Sequence, residues 1–135
     1  YQIIENSPYC LMAKKILALH NGRAKKIYLC TQNLKNILVW DTPTGPRDVS
    51  AKSKVKQASF FMSQALTHEA VHAAQYCNNN NPIDPERSSR VVTDFKKQAI
   101  QLSLVIGGTK QREEEAYLLE TNPAFVVAAL KRFCF

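Results

Sequence analysis

Two of the chain's three histidines, His68 and His72, stand four residues apart around a glutamate, in the run Thr67-His68-Glu69-Ala70-Val71-His72-Ala73. The pattern is HExxH. On a helix, positions i and i+4 project from one face a turn apart, so both imidazoles can reach one zinc ion at about 2.0–2.1 Å. Glu69 sits beside that face rather than on it. From there it reaches a water activated by the metal instead of the metal itself, which is where a general base has to be. Zinc lowers the pKa of such a water towards about 7, and once Glu69 takes the proton the oxygen can attack a polarised peptide carbonyl. With three His and seven Glu in the chain, a chance match is on the order of one in a hundred. The bland alternative is a pair of polar histidines on a solvated helix stripe, but the apolar, helix-forming flanks place the motif on a buried helix.

A catalytic zinc ion needs a third protein ligand and one open position. No third His follows the motif, and His20 lies far upstream. The cluster Arg112-Glu113-Glu114-Glu115-Ala116-Tyr117 offers three carboxylates about forty residues on. Consecutive helical residues point about 100° apart, so at most one or two of Glu113, Glu114 and Glu115 can face the metal. Taken alone, the cluster also reads as a solvated acidic first turn, favourable at a helix N-terminus.

These residues resemble the small zincin metallopeptidases of the gluzincin type, in which HExxH on one helix is completed by a glutamate from a second helix, commonly as Glu-x-x-Ala. Glu113-Glu114-Glu115-Ala116 has that form, and the resemblance implies Glu113 as the third ligand. Thr67–Ala73 is also similar to the core of the compact mitochondrial metallopeptidase family that processes and assembles an ATP synthase subunit. That similarity spans about residues 27–120, and only the two short motifs in it are specific. Gln75 stands where the family usually carries an acidic residue, and the cysteine pattern differs. What the resemblance implies is a zincin-like fold, bound Zn2+ and peptide-bond hydrolysis.

Ligand histidines usually donate their other N–H to a carboxylate or carbonyl. Glu120, seven residues after Glu113, returns to the same helix face and could hold His68 or His72, as could Glu115 from a shifted approach. Tyr117, four residues after Glu113, faces the metal side and could stabilise the oxyanion of a tetrahedral intermediate. The plain alternatives are solvated glutamates and a core tyrosine.

The elements that must position these groups follow from pattern. Ser7 as N-cap, Pro8 in the first turn and apolar Cys10, Leu11, Ile16, Leu17 and Leu19 predict a helix over residues 8–21, stopped by Asn21-Gly22. Lys26–Thr31 and Asn36–Trp40 read as strands of a small sheet. Either Ile27–Thr31 or Ile37–Trp40 could serve as an edge that pairs with extended substrate. Trp40 reads as a packing residue or cleft wall. Residues 41–48 read as a loop. Residues 54–77 contain no Gly or Pro and read as a core helix, ended by Asn78-Asn79-Asn80-Asn81-Pro82. A second helix is expected from about Pro85 to Val105, closed by Gly107-Gly108. A third begins near Gln111 and is interrupted at Asn122-Pro123, and a final amphipathic helix runs through Phe125, Val126, Ala129, Leu130 and Phe133.

The chain has 135 residues, 45% hydrophobic and 21% charged, which excludes disordered and low-complexity classes and suits a single domain over 1–135. The expected fold class is α+β, mostly helical with a small N-terminal sheet. No apolar run approaches the roughly 18–20 residues that cross a bilayer, so the chain reads as soluble. It starts at Tyr1, as a mature or trimmed product would, and localisation stays open. Cys10, Cys30, Cys77 and Cys134 show no metal spacing and allow three disulfide pairings, or burial as free thiols.

The net charge of +7 is uneven: residues 1–57 carry ten Lys/Arg against three acids, whereas residues 58–135 carry eight of each. Lys14, Lys15, Arg23, Lys25, Lys26, Lys35, Arg47, Lys52, Lys54 and Lys56 could therefore face an anionic surface, nucleic acid or membrane. No helix-turn-helix, RRM or zinc-finger pattern accompanies them. The reading reached is a zinc-dependent peptidase acting on a peptide or protein substrate. His68, His72 and Glu113 hold Zn2+, Glu69 is the general base and Tyr117 the oxyanion donor. The competing classes are a catalytically idle zincin-like scaffold and a basic nucleic-acid-binding module.

Overall fold

The computed structural model describes residues 1–38, 51–86, 97, 100, 101, 104 and 109–135. Among the described residues the class is α+β and mostly helical, with one three-stranded sheet. The chain divides into two compact units, Tyr1–Leu66 and Thr67–Phe135.

In the first unit, strands β1 (Gln2–Glu5), β2 (Ala18–Asn21) and β3 (Lys26–Leu29) form a sheet of order β1-β3-β2. β1 runs parallel to β3, with Gln2 opposite Lys26, and β2 runs antiparallel to it, with Ala18 opposite Leu29. The helix expected over 8–21 is not formed. Ser7 caps only a 3-10 turn at Pro8–Leu11, and Ala18–Asn21 is strand. The reason is tertiary. The buried Asn33 amide takes the carbonyls of Cys10, Ala13 and Ile16 at 3.1, 3.1 and 2.8 Å, acceptors that a helix would need for its own i→i+4 bonds. The disulfide Cys10–Cys30 ties the same segment down. Asn21-Gly22 opens a hairpin turn instead of closing a helix, with Asn21 Oδ1 accepting from Ala24 N at 2.9 Å and Lys25 left-handed at φ 52°.

The strand expected at Asn36–Trp40 is also corrected. Thr31–Asn33 is a 3-10 turn that runs directly into helix α1 (Leu34–Leu38), and Asn36 donates to Lys14 O at 3.0 Å. A short apolar run fits helix and strand alike, and here the preceding turn decides. Trp40, Arg47, the loop at 41–48, the Lys52 and Lys54 side chains and most of the helix expected over 85–105 lie outside the described residues.

Helix α2 (Ala51–Cys77) is uninterrupted, as its lack of Gly and Pro requires. It stops at the asparagine run. Asn79 and Asn80 take φ of 56° and 63°, and Asn80 N donates to Gln75 O at 2.7 Å, a left-handed exit that asparagine tolerates. In the second unit, α3 (Lys110–Leu119) and α4 (Pro123–Cys134) follow, the latter capped by Asn122 with Pro123 in its first turn. Their apolar faces and α2 bury Val71, Ala74, Ile83, Ala116, Leu119, Val126 and Ala129 in one cluster. A second disulfide, Cys77–Cys134, joins the end of α2 to the end of α4. Among the described residues no helix is long and apolar enough to cross a membrane.

Candidate metal centre

His68, His72 and Gln75 share one face of α2 at i, i+4 and i+7, next to the stripe that carries Val71 and Ala74 into the core. Glu113 and Glu120 sit seven residues apart on and just after α3, which is likewise anchored by Ala116 and Leu119. Apolar packing therefore sets two polar faces against each other. Both histidines and Glu113 are buried.

The three side chains converge. His68 Nε2 and His72 Nε2 are 3.2 Å apart. Glu113 offers one oxygen to each, Oε2 at 3.4 Å from His68 Nε2 and Oε1 at 3.3 Å from His72 Nε2. These separations match the edge, about 3.3–3.4 Å, of a tetrahedron of N and O ligands each about 2.0–2.1 Å from a central ion. The group can hold a metal ion.

Hydrogen bonding behind His72 decides which way its ring faces. The Gln75 side-chain nitrogen donates to Glu115 Oε2 at 2.7 Å and to Arg112 O at 3.1 Å. Both partners only accept, so the amide oxygen is left to face His72 Nδ1, at 2.9 Å. Oε1 can only accept; His72 therefore carries its proton on Nδ1 and turns an Nε2 lone pair inward. His68 Nδ1 is buried and faces Glu120 Oε2 at 3.4 Å, in an ion-pair contact without hydrogen-bond alignment. The Tyr117 ring lies edge-on to His68, with centroids 4.4 Å apart. The His72 lone pair, the His68 Nε2 atom and the Glu113 carboxylate thus meet at one small volume, an arrangement that suits a cation.

A proton can take that place. Burial works to lower the His68 pKa, but the close carboxylates of Glu113 and Glu120 and the nearby charge of Glu69 overcome it and push the imidazole up to about 9. For Glu113, burial works to raise the pKa, and the contacts with His68 and His72 outweigh it, holding the carboxyl well below the usual carboxylate range.

The three consecutive glutamates part as helix geometry demands. Glu113 faces the histidines. Glu114 pairs with Lys110 Nζ at 3.8 Å on the surface side. Glu115 turns inward, fully buried, and accepts from Gln75 Nε2, from Ile83 N at 3.0 Å and from Asp84 N at 2.7 Å. It holds Gln75 and the backbone after α2 rather than a histidine. Glu69 is half-buried beside the pair. His20 belongs to β2, where its Nε2 meets the Tyr1 hydroxyl at 3.2 Å. The residue that sequence reasoning passed over is Gln75. Its signal was present as a helical i+3 position after His72, and what hid its role is that its partner Glu115 stands forty residues away.

The chain belongs to the family described as a domain of unknown function (DUF8637), whose family model matches residues 1–135. No curated protein and no solved structure matches it.

Proposed function

We propose that the protein is a zinc-dependent peptidase of zincin-like fold, with His68, His72 and Glu113 as the ligands of Zn2+ and Glu69 as the general base. The observation that carries this reading is the convergence of two buried Nε2 atoms and one buried carboxylate at 3.2–3.4 Å, with His72 oriented from behind by Gln75. Two imidazoles and a glutamate, with a fourth position left to solvent or substrate, form a donor set used by catalytic zinc. The resemblance to the small gluzincins, and to the mitochondrial family that processes an ATP synthase subunit, supports the same assignment.

Zinc bound there would polarise a carbonyl and lower the pKa of a water. The chain's own residues do the rest. Glu69 lies close enough for its charge to act on His68, where a carboxylate can accept a proton and later return it to the leaving amine. Gln75 keeps the His72 proton on Nδ1, and Glu120 stands behind His68. Tyr117 braces the His68 ring, and in this reading its hydroxyl supports the developing oxyanion. The partner is a peptide or protein substrate.

Hydrolysis of a peptide library by zinc-loaded protein, compared with Glu69→Gln at equal zinc content, tests the assignment. Loss of a general base predicts a fall of about 10²–10⁴-fold. Stoichiometric zinc with no Glu69-dependent cleavage would replace the peptidase by an idle scaffold of the same fold.

A further inference from the structure

Leu11 and Met12 are 72% and 80% exposed, and among the described residues only the terminal Phe135 exposes more of a large apolar side chain. A loop free to move would fold such side chains back. This one is pinned. Cys10 is bonded to Cys30, the Asn33 amide holds the carbonyls of Cys10, Ala13 and Ile16, and Asn36 holds that of Lys14. With the backbone on both sides tied down, Leu11 and Met12 are kept pointing outward.

Lysines share a depression with Leu11. Leu11, Lys14 and Lys35 line one shallow depression of about 310 Å3 with Gln32 and Asn36. Lys14, Lys15 and Lys35 are exposed, and among the described residues no carboxylate pairs with Lys14 or Lys35. Glu5 is the one acid in residues 1–38.

We propose that this face docks on an anionic lipid bilayer, with Leu11 and Met12 entering the interface and Lys14 and Lys35 seating a lipid phosphate between them. Nucleic acid would use the charge but gain little from two aliphatic prongs, because bases are held by aromatic stacking. A bilayer with anionic headgroups rewards both features at once. Tyr9, half exposed two residues earlier, carries the ring type that gathers at that interface. The surface lies wholly in the first unit, and its test is independent of the metal centre.

Flotation of the full chain with phosphatidylcholine vesicles, alone or mixed with phosphatidylserine, provides the test. Binding is expected to the mixed vesicles only and to weaken with salt. Leu11→Ser with Met12→Ser should weaken it by at least about tenfold. Lys14→Glu with Lys35→Glu should do the same, since each lysine near such a surface is worth about fivefold. Arg23→Glu with Lys25→Glu, at the opposite end of β3, should cost less. Each variant is checked for the Cys10–Cys30 disulfide and an unchanged circular dichroism spectrum, with Met12→Ser alone standing in for a pair that misfolds. Equal binding to both vesicles, or full binding by the Leu11/Met12 variant, would overturn the proposal. So would displacement by inorganic phosphate, which reduces the site to a phosphate pocket, or salt-sensitive DNA binding without vesicle binding, which makes the face a nucleic-acid surface.

Discussion

Replacing Glu115 by Gln changes one atom of a side chain that touches neither histidine, yet it should damage both the fold and the metal centre. The Glu115 carboxylate is fully buried and accepts three hydrogen bonds, at 2.7 Å from Gln75 Nε2, 3.0 Å from Ile83 N and 2.7 Å from Asp84 N. Oε2 serves the first two and Oε1 the third. An amide must put its NH2 at one of these places, and the less harmful choice sets it against Asp84 N, donor to donor. One charge-assisted bond, worth about 1.5–3 kcal/mol, is lost and a buried donor is left unpaired. Relief from burying a neutral group offsets part of this, which leaves about 2 kcal/mol. For a chain of this length that is a drop of about 6–10 °C in Tm. The remaining bonds to Gln75 weaken as well, so its amide can rotate and release the His72 tautomer; loss of such a supporting partner lowers metal affinity by about 10–100-fold. Thermal unfolding in excess chelator measures the first effect and chelator competition at neutral pH the second. Glu114→Gln, at the surface pair with Lys110, is the control and should change neither by more than about 0.5 kcal/mol. A Glu115→Gln protein with unchanged Tm and unchanged metal affinity would refute the claim that this carboxylate organises the site.

Other outcomes follow from the same geometry. Removing the Cys77–Cys134 bridge, which spans 57 residues, should destabilise the protein by about 4 kcal/mol, and removing Cys10–Cys30, which spans 20, by about 3 kcal/mol; equilibrium denaturation of the paired Cys→Ala variants gives both values. In chelator-treated protein the His68 pKa lies above its unfolded value, at about 9, so its contribution of about 3 kcal/mol is complete below pH about 6.5 and fades as pH rises through about 9. Metal-loaded protein holds His68 neutral and has no such loss, so the Tm gap between loaded and chelated samples should widen over that range. Tyr117→Phe keeps the ring against His68 and should retain metal affinity while lowering cleavage, whereas Tyr117→Ala should lower both; parallel zinc titration and peptide assays separate them.

Much of the second unit was legible because its signals are local. The helix through His68 and His72 lacks breakers, the asparagine run ends it, and Asn122-Pro123 starts the last helix, each by a short-range rule. The choice among Glu113, Glu114 and Glu115 was not local, since it depends on the rotation that Ala116 and Leu119 impose on α3 when they pack. The role of Gln75 was hidden for the same reason: its partner Glu115 stands forty residues away. The first unit misled more. Residues 8–21 carry a helical pattern and a cap, but the three carbonyls that Asn33 binds and the bridge to Cys30 are long-range contacts that outweigh propensity. Asn36–Leu38 carries strand formers in a run too short for periodicity to decide.

Metal content tests the central claim most directly. Protein purified without chelator, exposed to zinc and exchanged into metal-free buffer should retain one zinc ion per chain, and His68→Ala, His72→Ala and Glu113→Ala should each lose most of it while keeping both disulfides. A wild-type chain that keeps only a trace of zinc, or variants that retain it in full, would contradict the account.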